Sequence, residues 1–379
     1  MRTMAFLSTI AILFSGIVAT EVQAESLDTQ VANYFKKFPF QDTFDYMMRY
    51  TDGDPSKLNV WVIGAKPELV KAGDDKIVRM NNDTFYKLAF ISLENGPVRL
   101  QSEKSDDNRF SSFQIMDDRN VNFRNVIRPK GTYTLFHGNQ PANIEGEAIE
   151  APSKLVALIV RVEVKDRSNA DDMRNAEAVF NGITISGPKI TAITKLDLLG
   201  GFDEKVIKEA NRQMEETSKS TPVSGLVAGP DDVPDKVSHL KLATGTKYGW
   251  GGPVTSHSAY EMIFADKDGK PMIGENGTYT ITTEDPPVDA FWSVTVYDTD
   301  RGGFLHPNKD DRYHINNTAA VKNKDGTVTF LFKTSCEEDD QNCLEVPNGK
   351  FDLATRYYLP KEAIRSGEWT MPRAELKSR

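Results

Sequence analysis

The pattern of apolar and polar positions predicts a helix near the start of the chain and strands after it. Four apolar residues recur at helical spacing, namely Val31, Tyr34, Phe35 and Phe38. We expect this helix to end at Pro39, because proline inside a helix removes a backbone hydrogen bond. A second short helix is predicted at 44–50.

The rest of the first half consists of short alternating segments between Gly, Asn and Asp turns. They predict strands at 84–90, 97–100, 110–116, 133–136 and 155–164. The last strand is the clearest, since Val160, Val162 and Val164 face one way and Arg161 and Glu163 face the other. One face of this strand is therefore expected to lie in a core.

The pattern changes again in the middle of the chain and returns to strands in the second half. Helices are predicted at 169–180 and 202–217, and strands at 259–264, 278–283, 290–297, 327–333 and 353–359. The predicted fold class is mainly β (α+β), with two antiparallel sandwich or jelly-roll-like domains joined by a partly helical segment. The expected boundaries are 25–165, 166–245 and 246–379.

Residues 1–24 have the pattern of a cleaved signal peptide. Arg2 precedes an apolar run, and Val22 and Ala24 place small residues before the expected cleavage site. The run has about 16 residues, fewer than the roughly 20 that cross a bilayer. We therefore expect export, to the periplasm or beyond the cell, without a transmembrane span.

The composition of the chain argues against several classes of function. There are 46 Lys and Arg against 55 Asp and Glu, and the net charge of −9 argues against a nucleic-acid partner. Five His and two Cys form no zinc or iron–sulfur motif, and Gly249–Gly252 lacks the Lys-Ser/Thr of a phosphate loop. The sequence thus predicts no cofactor.

The expected export places the two cysteines in an oxidising compartment, where a disulfide can form. Cys336 and Cys343 flank an acidic loop and have no third cysteine to compete with them. Either they form one disulfide that closes this loop, or they are two separate buried thiols.

Two strings of residues resemble known families. Asn81, Asp83, Thr84 and Tyr86 form an N-x-D-T-x-Y string, and 109–117 continues it, as in the DUF1254 family. The 247–252, 288–297 and 356–360 segments are similar to the DUF1214 module. The resemblance implies an exported two-domain protein with a jelly-roll-like C-terminal half, and it carries over no catalytic residues.

Two carboxylates are candidate catalytic residues. Asp83 precedes a strand and Asp117 ends another; side by side, they could act as acid and base. The structural alternatives are that Asn81–Thr84 closes an Asx turn and that Asp117 pairs with Arg109 or Arg124.

Five residues are candidates for ligand binding: Asn82, Tyr86, Trp250, Tyr297 and Arg356. Tyr297 lies on the strand face opposite Trp292, so it lines either a cleft or the space between two sheets. Arg356, inside a strand, either pairs with a carboxylate of the sheet or binds an anionic group.

A weak calcium candidate is formed by Asp298, Asp300 and Asp310, whose spacing departs from a complete calcium loop. The histidines that flank it, His306 and His314, are expected to be exposed loop residues rather than a metal pair.

Two functions follow from these patterns. The first is an exported module that binds a small molecule or a polymer, or that assembles with a partner, including a second copy of itself. The alternative is a hydrolase of a glycan or an ester that uses Asp83 and Asp117.

Overall fold

The computed structural model of the protein describes residues 25–74, 79–221, 223–229 and 238–377. The predicted signal peptide lies outside these residues. Within them, no helix has both the length and the apolar character needed to cross a bilayer.

Nine strands belong to the N-terminal sandwich: β1 (Trp61–Ile63), β2 (Thr84–Ser92), β3 (Val98–Ser102), β4 (Ser111–Met116), β5 (Asn122–Ile127), β6 (Gly131–Phe136), β7 (Glu147–Glu150), β8 (Leu155–Glu163) and β9 (Ile183–Ser186). One sheet has the order β1-β2-β8-β4-β5 and the other β7-β6-β3-β9. As predicted, Val160, Val162 and Val164 are buried, in a core shared by both sheets.

Ten strands belong to the C-terminal sandwich: β10 (Ser258–Ile263), β11 (Met272–Ile273), β12 (Thr278–Thr283), β13 (Trp292–Asp298), β14 (Phe304–Leu305), β15 (His314–Asn316), β16 (Val328–Lys333), β17 (Cys343–Glu345), β18 (Lys350–Tyr358) and β19 (Glu375–Lys377). One sheet has the order β10-β18-β13-β14, with β11 paired to β18 and β15 paired to β13, and the facing sheet has the order β17-β16-β12-β19. Trp292 lies in the core between them. The predicted mainly β, two-domain fold class is confirmed.

Five helices complete the described fold: α1 (Leu27–Thr51), α2 (Ala170–Asn181), α3 (Glu204–Ser220), α4 (His239–Gly249) and α5 (Glu362–Arg365). The predicted helix end at Pro39 is wrong, because α1 continues through Pro39. The apolar stripe that includes Phe35 and Phe38 packs on Val206 and Met214 of α3. This burial outweighs the loss of one backbone hydrogen bond.

The N-terminal sandwich extends beyond the expected boundary at 165. Phe180 of α2 lies in its core, and β9 pairs with β3. The sandwich therefore ends at about Ser186, and α1, α3 and α4 form a separate helical layer against it.

The two sandwiches meet through polar sheet faces. On the N-terminal side, Tyr86 and Arg161 are directly opposite each other on β2 and β8, on the face away from the core. On the C-terminal side, Tyr260, Arg356 and Ser293 form one row across β10, β18 and β13. Arg161 therefore faces Tyr260 and Tyr358 of the other domain rather than bulk water, and Glu163 on the same side of β8 is buried.

Candidate functional site

The candidate site is a set of polar residues at the boundary between the two sandwiches, which we call the interdomain cluster. It comprises Asp83, Tyr86 and Arg161 of the N-terminal domain and Tyr260, Ser293, Tyr297, His314, Arg356 and Tyr358 of the C-terminal domain. Except for Tyr86 and Tyr260, all of them are buried.

Asp83 is held by groups from both domains. Its backbone N–H donates to Asn81 Oδ1 at 2.6 Å, and the Thr84 N–H donates to the same oxygen, which is the predicted Asx turn. Across the boundary, Ser293 Oγ donates to its Oδ2, and the Tyr358 hydroxyl donates to its Oδ1 at 2.9 Å. The carboxyl group is fully buried and satisfied by these donors.

Tyr358 is fixed in place by aromatic packing between the domains. Its ring stacks on Phe291 with the ring centres 3.9 Å apart, and Phe110 of the N-terminal domain packs 5.0 Å away. Burial and the nearby Asp83 raise the pKa of Tyr358 well above its usual value. The hydroxyl therefore remains a donor to Asp83 throughout the physiological pH range.

Arg161 has unused donor capacity. Its Nε donates to the Tyr86 hydroxyl at 3.0 Å, and Nη1 donates to Gln114. Within the described residues, no carboxylate lies within 4 Å of its guanidinium, and Nη2 donates no hydrogen bond.

Arg356 is held by neutral oxygens. Nη1 donates to Thr295 Oγ1 at 3.0 Å, and Nη2 donates to the Tyr297 hydroxyl at 2.7 Å and to the Arg79 carbonyl at 2.8 Å. Like Arg161, it makes no ion pair with a carboxylate in the part of the chain that the structure describes. Both guanidinium groups keep their charge, since arginine does not deprotonate in proteins.

Tyr260 is at the solvent edge of the cluster. Its side chain is 36% exposed, and its ring centre lies 5.4 Å from Cζ of Arg356. Burial raises the pKa of its hydroxyl to about 12, although the charges of Arg161 and Arg356 oppose this rise. Both arginines therefore act electrostatically on this one solvent-accessible ring.

His314 is buried, so the expectation of an exposed loop histidine is wrong. It lies in β15 beside Thr295, and its Nδ1 is 3.0 Å from Asn82 Oδ1. Burial lowers its pKa to about 4, so the ring is neutral at pH 7. Because Asn82 Oδ1 can only accept, Nδ1 carries the proton.

The structure does not bring Asp83 and Asp117 together. The Asp83 carbonyl accepts from the Val164 N–H beyond one end of β8, whereas Met116, just before Asp117, pairs with Ala157 near the other end. The separation is roughly 25 Å at about 3.3 Å per residue. Asp117 pairs with Arg119 at 2.6 Å, not with the expected Arg109 or Arg124.

Four of the five predicted ligand residues lie in or against the cluster. Asn82 contacts His314, Tyr86 contacts Arg161, and Tyr297 contacts Arg356. Trp250 instead packs against α1. Its ring stacks on Tyr46 at 4.6 Å and its Nε1 donates to Thr43.

The remaining candidates lie apart from the cluster. Cys336 and Cys343 form a disulfide, as one of the two alternatives predicted. Asp298 accepts from the Arg301 N–H and Asp300 from the Lys350 N–H, while Asp310 is exposed. Among the described residues no set of three His, Cys, Asp or Glu side chains is placed to hold a metal, so the calcium candidate is not assembled.

The sequence did not single out Arg161, Tyr260 or Tyr358. Arg161 and Glu163, two polar side chains on one side at the end of β8, look like a solvated face, and the chain itself does not show that another domain covers it. A usable signal is that two arginines, Arg161 and Arg356, stand on the polar sides of clear strands.

Comparison with known families agrees with the two-module architecture. Residues 62–187 match DUF1254 and residues 257–362 match DUF1214, both described as proteins of unknown function. The chain belongs to the two-module DUF1254–DUF1214 family. The DUF1254 match extends to 187, where the N-terminal sandwich ends, and the interdomain cluster lies between the two modules.

One solved structure shows that this fold occurs in another protein. The VPA0106 protein from Vibrio parahaemolyticus superposes with a TM-score of 0.78 at 19% identity, over 93% of this chain and 100% of its own. An uncharacterized protein from Burkholderia cenocepacia has a TM-score of 0.49 at 12% identity, over 95% of this chain and 92% of its own. A search of the curated proteins found no match.

Proposed function

We propose that this DUF1254–DUF1214 protein is an exported binding module and that its interdomain cluster binds a small organic carboxylate. The observation that carries the proposal is the pair of buried arginines, Arg161 and Arg356, one from each domain. Neither has a carboxylate partner within the described residues, and both act on the partly exposed Tyr260.

The charges of the cluster favour an anion. Even with Asp83 ionised, the cluster has two guanidinium charges and one carboxylate. An unmatched buried charge is costly, and an anionic ligand would remove that cost. The flat guanidinium fork binds carboxylates in a bidentate manner, which a lysine cannot do.

The arrangement of tyrosines favours an organic body on the ligand. Tyr86 lies under the Arg161 guanidinium at 5.1 Å, and Tyr260 lies beside Arg356. Their rings provide apolar surface next to the charges, and Tyr260 is open to solvent. An aromatic or short aliphatic carboxylate would contact both kinds of group.

The hydrolase hypothesis receives no such support. Paired catalytic carboxylates need a separation of about 5 to 9.5 Å. Asp83 and Asp117 are roughly 25 Å apart at the strand spacing given above, and both carboxylates are already bonded within the protein.

Titration calorimetry of the purified protein tests the proposal. The ligands are benzoate, succinate and phosphate, with benzamide and succinamide as uncharged controls. We expect binding of a carboxylate and not of its amide. Arg161→Gln and Arg356→Gln should weaken this binding at least tenfold, whereas Arg124→Gln, in an exposed ion pair with Glu147, should not change it.

A buried arginine variant could also fail to fold, so a second variant is needed. Tyr260→Ala changes only the solvent edge and should weaken binding while leaving the thermal unfolding midpoint nearly unchanged. Binding that is equal for acids and amides, or unaffected by Tyr260→Ala and by folded arginine variants, would refute the proposal. Binding of phosphate alone would also refute the carboxylate class.

A further inference from the structure

A separate cavity of about 260 Å³, partly open to solvent and lined mostly by apolar atoms, lies between α1, the start of β8 and the segment that follows β9. Its walls are mainly hydrocarbon, from Phe44, Met47, Leu58, Leu155, Ile190 and Ile193. Trp250, which follows α4 and packs against α1, belongs to the same apolar packing. The interdomain cluster contributes no residue to this cavity.

One wall of the cavity is an irregular segment, residues 190–196, which we call the strap. Before the strap, Asn59 Nδ2 donates to the Pro188 carbonyl and Asn95 Nδ2 to the Lys189 carbonyl. At its end, Gln41 Nε2 donates to the Leu196 carbonyl. Within the described residues, no backbone N–H of the strap donates a hydrogen bond to protein.

The strap also separates this cavity from a second one. Ile193 and Leu196 line both the first cavity and a neighbouring one of about 790 Å³. Since its two ends are anchored and its backbone is otherwise unpaired, the strap can shift without breaking a ladder of hydrogen bonds. Movement of Ile193 would connect the two spaces.

From this arrangement we infer a second ligand site, in which a small uncharged apolar molecule occupies the cavity beneath the strap. The rim carries two lysines and two acids, Lys154, Lys195, Glu94 and Asp118, so charge gives no net preference. Recognition therefore depends on apolar burial. Apolar cavities of about 150 Å³ accommodate benzene, which gives this one room for roughly ten non-hydrogen atoms.

This inference does not depend on the proposed function of the interdomain cluster. The two sites differ in chemistry, because the cluster offers guanidinium groups and the cavity offers aliphatic and aromatic carbon. Arg161→Gln should therefore leave the cavity's affinity unchanged, and filling the cavity should leave carboxylate binding unchanged.

The test is the affinity of the purified protein for 1-butanol, 1-hexanol, 1-octanol and 1-decanol. Burial of each methylene contributes about fourfold in affinity, from roughly 0.8 kcal/mol per group. We expect the affinity to rise by about this factor per carbon and to level off near octanol, where the cavity is full. Octanoate should bind no better than octanol.

Variants of Ile193 locate the site on the strap. Ile193→Trp should fill the cavity and abolish octanol binding, whereas Ile193→Ala should enlarge it and move the plateau to a longer alcohol. Lys189→Ala, just outside the strap, is the matched control and should bind octanol like the natural protein. No binding of any alcohol, or the same chain-length dependence in all folded variants, would overturn the inference.

Discussion

The Tyr358 hydroxyl of the C-terminal domain donates a hydrogen bond to Oδ1 of Asp83 in the N-terminal domain, at 2.9 Å. The same hydroxyl accepts from Nδ2 of Asn81, the residue that closes the turn before β2. One phenol oxygen thus joins the loop that carries Asp83 to the opposite sheet. The geometry of this loop depends on how the two domains dock.

Tyr358→Phe should therefore destabilise the protein. It leaves the buried Asp83 Oδ1 and Asn81 Nδ2 each short of one partner, while the stacking on Phe291 remains. A buried polar group without its partner costs about 1–3 kcal/mol. Urea unfolding measures the loss, and Tyr248→Phe, at a side chain that is 45% exposed, serves as the control. A loss no larger than the control's would show that this bond contributes nothing.

The main strands of both sandwiches, such as β2, β8, β13 and β18, were predictable because one side of each faces a core, whereas β5 and shorter strands such as β7 and β9 were not predicted. The alternation in β8 and β13 identified correctly which side of each strand faces a sandwich core, since a period of two fixes which residues share a face. The Asx turn at Asn81 was equally local. These features depend on residues within a few positions of one another.

The interdomain cluster was only partly predictable, because its contacts join distant parts of the chain. Ser293 and Asp83 are 210 residues apart, and Tyr358 and Asp83 are 275 apart. Alternation shows that Arg161 is on the polar side of β8, but not what covers that side. For the same reason the passage of α1 through Pro39 was missed, since only packing on α3 explains it.

The buried His314 should lower the stability of the folded protein in mild acid. Burial lowers its pKa in the folded protein to about 4, against 6.5 for the ordinary group. Between these values the unfolded chain binds the proton and the folded one does not, so stability falls as the pH drops from about 6.5 to about 4. Below this pH window, the difference between the two pKa values corresponds to a loss of about 3 kcal/mol in the free energy of unfolding.

His314→Gln should reduce this acid sensitivity, because glutamine does not titrate. The measurement is the free energy of unfolding in urea at several pH values between 4 and 8, compared between variant and natural protein. His137→Gln, at an exposed position, is the matched control. If the difference in the free energy of unfolding between His314→Gln and the natural protein stays constant with pH, the ring of His314 is not held neutral in the folded protein.

Glu163 should have the opposite effect on the pH dependence of stability. Burial raises its pKa to about 7, although the Phe110 N–H, which donates to Oε2 at 2.7 Å, opposes the rise. Between pH 4.5 and about 7 the folded protein binds the proton and the unfolded chain does not. Stability therefore falls as the pH rises through this window, by up to about 3 kcal/mol.

Glu163→Gln keeps an acceptor for the Phe110 N–H and carries no charge. The free energy of unfolding of the variant, relative to that of the natural protein, should be higher at pH 8 than at pH 5. Urea unfolding at both pH values measures this difference. Glu368→Gln, at an exposed position, should show no such gain. If Glu163→Gln changes the free energy of unfolding by the same amount at both pH values, the carboxyl group of Glu163 ionises normally.

Gly245→Ala should destabilise the protein even though alanine is the better helix former. Gly245 lies inside α4, where alanine ordinarily stabilises by about 1 kcal/mol. Here an added Cβ would lie 2.1 Å from the backbone carbonyl oxygen of Leu226, so α4 or the 223–226 turn must move. We expect a net loss of about 1–3 kcal/mol, as for overpacking in a core. Gly201→Ala, where nothing lies within 4 Å of the added carbon, is the control. The loss would appear as a lower urea midpoint for Gly245→Ala alone, and an unchanged or higher midpoint would contradict the close approach of α4 to Leu226.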